Sequence, residues 1–187
     1  IGDRQFYKMV LLVAIPIMVQ NGITNFVSLL DNIMVGQMGT EQMSGVAIVN
    51  QLMMVYNICI FGAVSGAGIF GAQFFGKGDH EGVRYAFRFK IVVCLMLAVV
   101  WMLVFYFAGG NLIRLFLHDG SGAGDIDETF RYARQYLLVV MPEMIPFAIS
   151  QSYSQTLRET GETILPMKAG IVAVCLNLFV GYGLIFG

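Results

Sequence analysis

Charged residues in this 187-residue chain are confined to short stretches between long uncharged blocks, and that pattern constrains the fold more than any other feature. Met9–Leu30, Gln42–Gly76, Ile91–Ile113 and Ala169–Gly187 contain no Asp, Glu, Lys or Arg, and Gln135–Leu157 contains only Glu143. A helix crosses the ~30 Å hydrocarbon layer with ~20 apolar residues, so each block is long enough to span a bilayer. The second is long enough to tilt or project from it. Apolar and aromatic side chains make up 57% of the chain and charged ones 12%, about half the ~25% of soluble domains. Buried helices of a soluble protein would need far more polar helix to cover five such blocks. The expected fold is therefore all-α, a polytopic membrane helix bundle with five transmembrane helices at about 9–35, 42–76, 89–110, 131–156 and 166–187.

Other classes fit poorly. Arg4 and Lys8 precede an apolar run, as in a secretory leader, but the run is too long and no small-x-small cleavage site follows. The chain does not open with Met and its last apolar block reaches its final residue, so a piece of a longer protein is expected. Cys59, Cys94 and Cys175 all fall within spans without metal-ligand spacing, which suits small buried hydrophobes. No basic stretch with interleaved aromatics points to nucleic acid. Gly66-Ala67-Gly68-Ile69-Phe70-Gly71 matches the dinucleotide fingerprint in form, but that motif needs a preceding strand and an open turn, and this one lies inside an apolar span. The glycines from Gly62 to Gly76 instead read as a surface for close helix approach.

Basic residues orient the chain. With the N-terminus in the cytoplasm, the inner segments hold Arg4, Lys8, Lys77, Arg84, Arg88, Lys90, Arg158 and Lys168, and the outer segments hold Arg114, Arg131 and Arg134. Eight against three favours this orientation over its reverse and puts Gly187 near the outer face. The predicted localisation is the inner (plasma) membrane. Gly36–Met43 reads as a short outer turn with Thr40 capping the second helix. Gly76–Lys90 reads as an inner loop with a surface helix from His80. Leu117–Thr129 reads as a solvated outer loop with Gly120, Gly122 and Gly124, and lacks the ligand spacing of a calcium loop. Pro166 suits the first turn of the fifth helix.

A few polar residues interrupt the spans. Asp31 follows an apolar run, and an ionised acid at membrane depth costs about 2.5–3.5 kcal/mol on the insertion scale. A bound cation or proton cancels that cost, which is the chemistry of a coupling site. The alternative is an acid that snorkels to the outer interface, with Gly36 five residues on. Gln20, Asn21, Thr24 and Ser28 recur at spacings of three and four and form a stripe with Asp31. In lipid such a stripe faces water or protein, as the wall of a substrate cavity or as interhelical hydrogen-bonding glue. Glu143 lies between Pro142 and Pro146, which should kink the fourth span. It is either a second proton site or a solvated acid. Asn177 is the only strongly polar side chain of the fifth span, and a single buried Asn is often a helix–helix contact. No basic residue is expected inside a span. An intramembrane enzyme using Asp31 and Glu143 lacks a nucleophile or metal motif, and a non-catalytic helical scaffold is a further alternative.

Several segments resemble the multidrug and toxic compound extrusion (MATE) transporters. They are Leu30-Asp31-Asn32-Ile33-Met34-Val35-Gly36-Gln37-Met38-Gly39, Gly71-Ala72-Gln73-Phe74-Phe75-Gly76-Lys77-Gly78-Asp79, Leu157-Arg158-Glu159-Thr160-Gly161-Glu162-Thr163-Ile164-Leu165-Pro166-Met167, and Asn177 with Leu184-Ile185-Phe186-Gly187. The resemblance implies two six-helix lobes, of which this chain supplies helices one to five of the first, with the C-terminal lobe missing. It implies a cation-coupled antiporter that exports amphipathic organic cations, using Na+ or H+ as coupling ion and no other cofactor. It implies a coupling site at Asp31 and Asn177, with Tyr136 a weaker match. Family members with a second acid four residues after the Asn differ from this chain, which has Gly181 there; proton and sodium both stay open. A lipid-linked precursor flippase of the same superfamily is the alternative transporter, and a strongly basic cavity would favour it.

Overall fold

A computed structural model describes residues 4–36, 39–119 and 125–186, and no strand occurs among them. Six α-helices follow in order: α1 (Arg4–Gly36), α2 (Thr40–Gly76), α3 (His80–Asp119), α4 (Ile126–Val140), α5 (Met144–Glu159) and α6 (Ile164–Phe186). A 3₁₀ turn, Met141–Glu143, joins α4 to α5. Three helices are long and apolar enough to cross a membrane, at Phe6–Leu30, Thr40–Gly76 and His80–Leu117, and Ile164–Asn177 is a shorter apolar stretch. The chain is a multi-pass membrane protein. Phe26, Met96, Phe107 and Phe179 are all more than half exposed, a surface that water would not tolerate over such an area.

The fourth block is interrupted where its prolines predict. Pro142 sits in the 3₁₀ turn and Pro146 in the first turn of α5, each lacking the N–H that a continuous helix would use. The third span differs from expectation. The surface helix expected from His80 and the span expected at 89–110 are one helix of 40 residues. At 1.5 Å per residue it is about 60 Å long, roughly twice the hydrocarbon thickness. Lys90 and Arg114 therefore belong to the spanning helix rather than to flanking loops. The expected Thr40 cap is also displaced: α2 begins at Thr40, Gly39 holds the cap position with φ 139°, and no side chain caps the end. Gly120, Gly122 and Gly124 of the outer loop, and Gln37 and Met38 of the first turn, lie outside the described residues.

The chain divides into two compact units, Met34–Thr156 and Ile1–Ile33 with Leu157–Gly187. In the first, α2 packs against α3 and α4 around a core of Val49, Leu52, Tyr56 and Ile60 from α2, Cys94, Ala98 and Phe105 from α3, Leu137 from α4 and Ala148 from α5. The glycine run from Gly62 to Gly76 divides, with Gly68 and Gly71 buried on α2 and Gly62 and Gly66 open. A Cβ at Gly62 or Gly66 meets nothing within 4 Å, whereas one at Gly45 would lie 2.9 Å from the Ala133 backbone nitrogen of α4. Gly62 and Gly66 fall on the face of α2 opposite its buried row. Gly66–Gly71 lies wholly within α2, with no strand or turn to support nucleotide binding.

Two of the quoted motifs are helix stops. After α2 the Gly78 N–H donates to the Phe75 carbonyl (3.0 Å) and the Asp79 N–H to the Phe74 carbonyl (3.0 Å), with Gly78 at φ 73°. After α5 the Gly161 N–H donates to the Arg158 carbonyl (3.1 Å) and the Glu162 N–H to the Leu157 carbonyl (2.9 Å), with Gly161 at φ 83°. Both are Schellman turns, whose left-handed position favours Gly. Pro166 is the third residue of α6, in the first turn as expected.

Candidate functional site

A cavity of about 290 Å³ opens between α2 and α5, lined by Asn57, Ile60, Phe61 and Val64 on one side and Phe147 and Gln151 on the other. The volume is close to the ~300 Å³ lower end for small-molecule sites. Four apolar walls and two amides give it an amphipathic lining. Amides donate and accept hydrogen bonds and aromatic faces stack on flat apolar or cationic groups, so the lining suits a small amphipathic molecule. Asn57 interrupts the uncharged second block, and that was the available signal; only the folded chain pairs it with Gln151.

Two contacts hold the flanks of this cavity. The buried Tyr56 hydroxyl donates to the Met144 carbonyl at 2.6 Å, and the Tyr56 and Phe147 rings lie 6.0 Å apart between centroids. This ties the middle of α2 to the first residue of α5, next to the proline-interrupted turn. Farther along, Lys90 Nζ donates to Thr156 Oγ1 at 3.0 Å, and Thr156 Oγ1 donates to the Ser152 carbonyl at 2.8 Å. Lys90 is 1% exposed. The buried Lys90 lies on α3 directly before the uncharged run that begins at Ile91, and it does not line the cavity.

The other unit carries most of the residues singled out in the sequence. Gln20 is half-buried, its Oε1 accepts from Arg158 Nη2 at 2.7 Å, and a Cβ at Gly170 would lie 3.0 Å from its Nε2. Arg158 of the inner-loop motif therefore binds the polar stripe of α1. Asn21, Thr24 and Ser28 are exposed. Thr24 Oγ1 donates to the Gln20 carbonyl (2.9 Å) and Ser28 Oγ to the Thr24 carbonyl (3.1 Å), so both hydroxyls are satisfied by their own helix. Asp31 lies on α1, and its side chain is outside the described residues. Asn177 is exposed on α6, in the same unit as Asp31. Tyr136 belongs to the other unit, half-buried on α4 against its core. Glu143 is exposed in the 3₁₀ turn. Among the described residues, no group of three or more His, Cys, Asp or Glu gathers to hold a metal ion.

The sequence matches MatE over residues 16–183. The chain belongs to the MatE family. Among MatE relatives it is 27% identical over 180 residues to the probable multidrug resistance protein NorM of Thermotoga maritima, covering 96% of this chain and 37% of that protein. It is 25% identical to the protein of the same name from Halalkalibacterium halodurans, covering 96% and 38%, and 22% identical to that from Oceanobacillus iheyensis, covering 96% and 39%. The chain thus spans less than two fifths of the length of these relatives. No solved structure matches it. The MatE match includes α1 from Pro16, both Schellman turns, the α2–α5 cavity and α6 as far as Gly183.

Proposed function

We propose that this chain is most of the N-terminal lobe of a multidrug antiporter that exports amphipathic organic cations in exchange for Na+ or H+. The observation that carries the reading is the amphipathic α2–α5 cavity in a chain of the MatE family, whose relatives are named as multidrug resistance proteins. The amides of Asn57 and Gln151 orient the polar end of a substrate, and the rings of Phe61 and Phe147 face its aromatic or cationic part. Asn21, Thr24 and Ser28 are exposed on α1 and supply a polar wall that the rest of the protein completes.

Coupling is assigned to Asp31 and Asn177, with Tyr136 assisting. From the Gln20–Gly170 approach, eleven residues lead along α1 to Asp31 and seven along α6 to Asn177, about 16 and 10 Å of helical rise. A cation or proton at Asp31 removes a negative charge from membrane depth, where it is expensive. The occupied and empty sites then favour different helix packings, and the ion gradient drives alternating access through that population shift. The N-terminus is cytoplasmic. The flippase alternative gains nothing from the cavity, whose lining contains no basic residue.

The test is efflux of a fluorescent aromatic cation from cells expressing the intact protein. Asp31→Asn abolishes ion-driven efflux while dye binding by the purified protein persists, and Asn177→Ala reduces efflux less. Efflux by Asp31→Asn at the wild-type rate would remove Asp31 from the mechanism. Failure of the intact wild-type protein to move any organic cation would sink the antiporter reading itself.

A further inference from the structure

The first eleven residues of α3 carry an exposed face that does not line the α2–α5 cavity. Arg84, Tyr85, Arg88 and Phe89 are all exposed, Tyr85 by 66% and Phe89 by 62%. At 100° per residue they share the side of the helix opposite the buried Lys90 and Cys94. The same side continues into exposed Val92, Met96, Val99 and Leu103. Along one face two guanidiniums alternate with two aromatic rings and then give way to uncharged apolar residues. That order is the profile of a bilayer from headgroup to hydrocarbon, with aromatics at the boundary. Only about 20 residues of this 40-residue helix fit within the hydrocarbon, so the segment from His80 to Lys90 stands at headgroup level. Lys77 precedes it. Two acids lie nearby, Glu81 and Asp79, whose carboxylate accepts from the Gly82 N–H at 2.9 Å, so the exposed cations Lys77, Arg84 and Arg88 outnumber them by one.

We propose that this face of α3 binds an anionic phospholipid of the cytoplasmic leaflet, its phosphate held by Arg84 and Arg88 and its upper acyl chains lying along Phe89, Val92 and Met96. Guanidinium is suited to phosphate because its planar fork donates two parallel hydrogen bonds. Arg84 and Arg88 are one helical turn apart, so both reach one headgroup. Assignment to the cytoplasmic leaflet rests on the orientation proposed above; the binding chemistry does not.

The intact protein is titrated with phosphatidylglycerol in phosphatidylcholine nanodiscs, and bound lipid is counted by native mass spectrometry. R84Q/R88Q weakens phosphatidylglycerol binding roughly thirty-fold, from about five-fold per basic residue near an anionic surface, with an unchanged thermal midpoint in pure phosphatidylcholine. R84K/R88K keeps the charge and loses less than about five-fold. Unchanged affinity in R84Q/R88Q would overturn the proposal, as it would if another part of the intact protein covered this face. Equal loss in R131Q/R134Q, whose arginines lie on α4, would overturn it too, by showing a general charge effect. Displacement of the lipid by inorganic phosphate at equal concentration would reassign the site to a free anion. A protein that binds phosphatidylglycerol through this face and moves no organic cation would sink the antiporter reading and leave this one standing.

Discussion

Lys90 of α3, a residue 1% exposed, donates to Thr156 of α5 in a hydrogen bond of 3.0 Å. One turn before each partner, the Phe87 and Tyr153 rings meet edge to face with centroids 4.8 Å apart. A lysine on a helix leans toward the helix N-terminus, so Lys90 reaches back along α3 to an acceptor that a shorter side chain would miss. A buried ammonium without its full set of acceptors is strongly penalised. Thr156→Val should therefore lower the stability of the purified protein by about 1–3 kcal/mol. Thr156→Ser keeps the hydroxyl and should stay within about 0.5 kcal/mol of wild type. Thermal unfolding in detergent distinguishes the two.

Tyr56→Phe keeps the ring and removes only the hydroxyl that donates to the Met144 carbonyl. The expected loss is about 1 kcal/mol, the usual net value of one buried hydrogen bond. Tyr56→Ala adds a cavity beside Phe147 and should lose about 3–5 kcal/mol, as large aromatic deletions do. Equal losses from the two variants in the same unfolding assay would mean that the hydroxyl, not the ring, dominates.

Glycines in the same helix should respond in opposite ways. Gly45→Ala forces a methyl against the α4 backbone, and overpacking of this kind typically loses about 1–3 kcal/mol. Gly62→Ala and Gly66→Ala meet open space and should gain up to about 1 kcal/mol of helix propensity. If Gly62→Ala destabilises the isolated lobe as much as Gly45→Ala, the assignment of the α2–α4 crossing is wrong.

Gly78→Ala and Gly161→Ala both place a Cβ in the left-handed region, which costs roughly 1–2 kcal/mol. Asn tolerates that region better, so Gly161→Asn should recover part of the loss. Thermal midpoints of the three variants order as Gly161→Asn above Gly161→Ala, with Gly78→Ala similar to the latter.

Single cysteines in a cysteine-free background report topology. Labels at Arg84 and Glu162 should react only from the cytoplasmic side, and a label at Asp125 only from outside. Reaction of the Asp125 position from the cytoplasm alone would reverse the orientation argued from basic residues.

The sequence by itself determined the uncharged blocks, though it began the third helix at 89 rather than His80 and left the stops at Gly78 and Gly161 unread. Charge-free blocks locate the spans because charge cannot sit in hydrocarbon without penalty, and Pro166 marks the first turn of α6 because its backbone chemistry is local. The family was also legible, since its motifs are short and contiguous, from Asp31 to Gly39 and from Leu157 to Met167. Which face of each helix turns inward was not legible. In a soluble protein the apolar stripe gives the buried face, but lipid is as apolar as a protein core, so an all-apolar helix carries no such stripe. Only tertiary packing placed Gly45 rather than Gly62 against a neighbour, drew Lys90 inside to Thr156, set Arg158 on Gln20 and brought Asn57 opposite Gln151 across the cavity. Each of these depends on residues distant in sequence whose pairing follows from helix rotation, and rotation is fixed only when the helices pack.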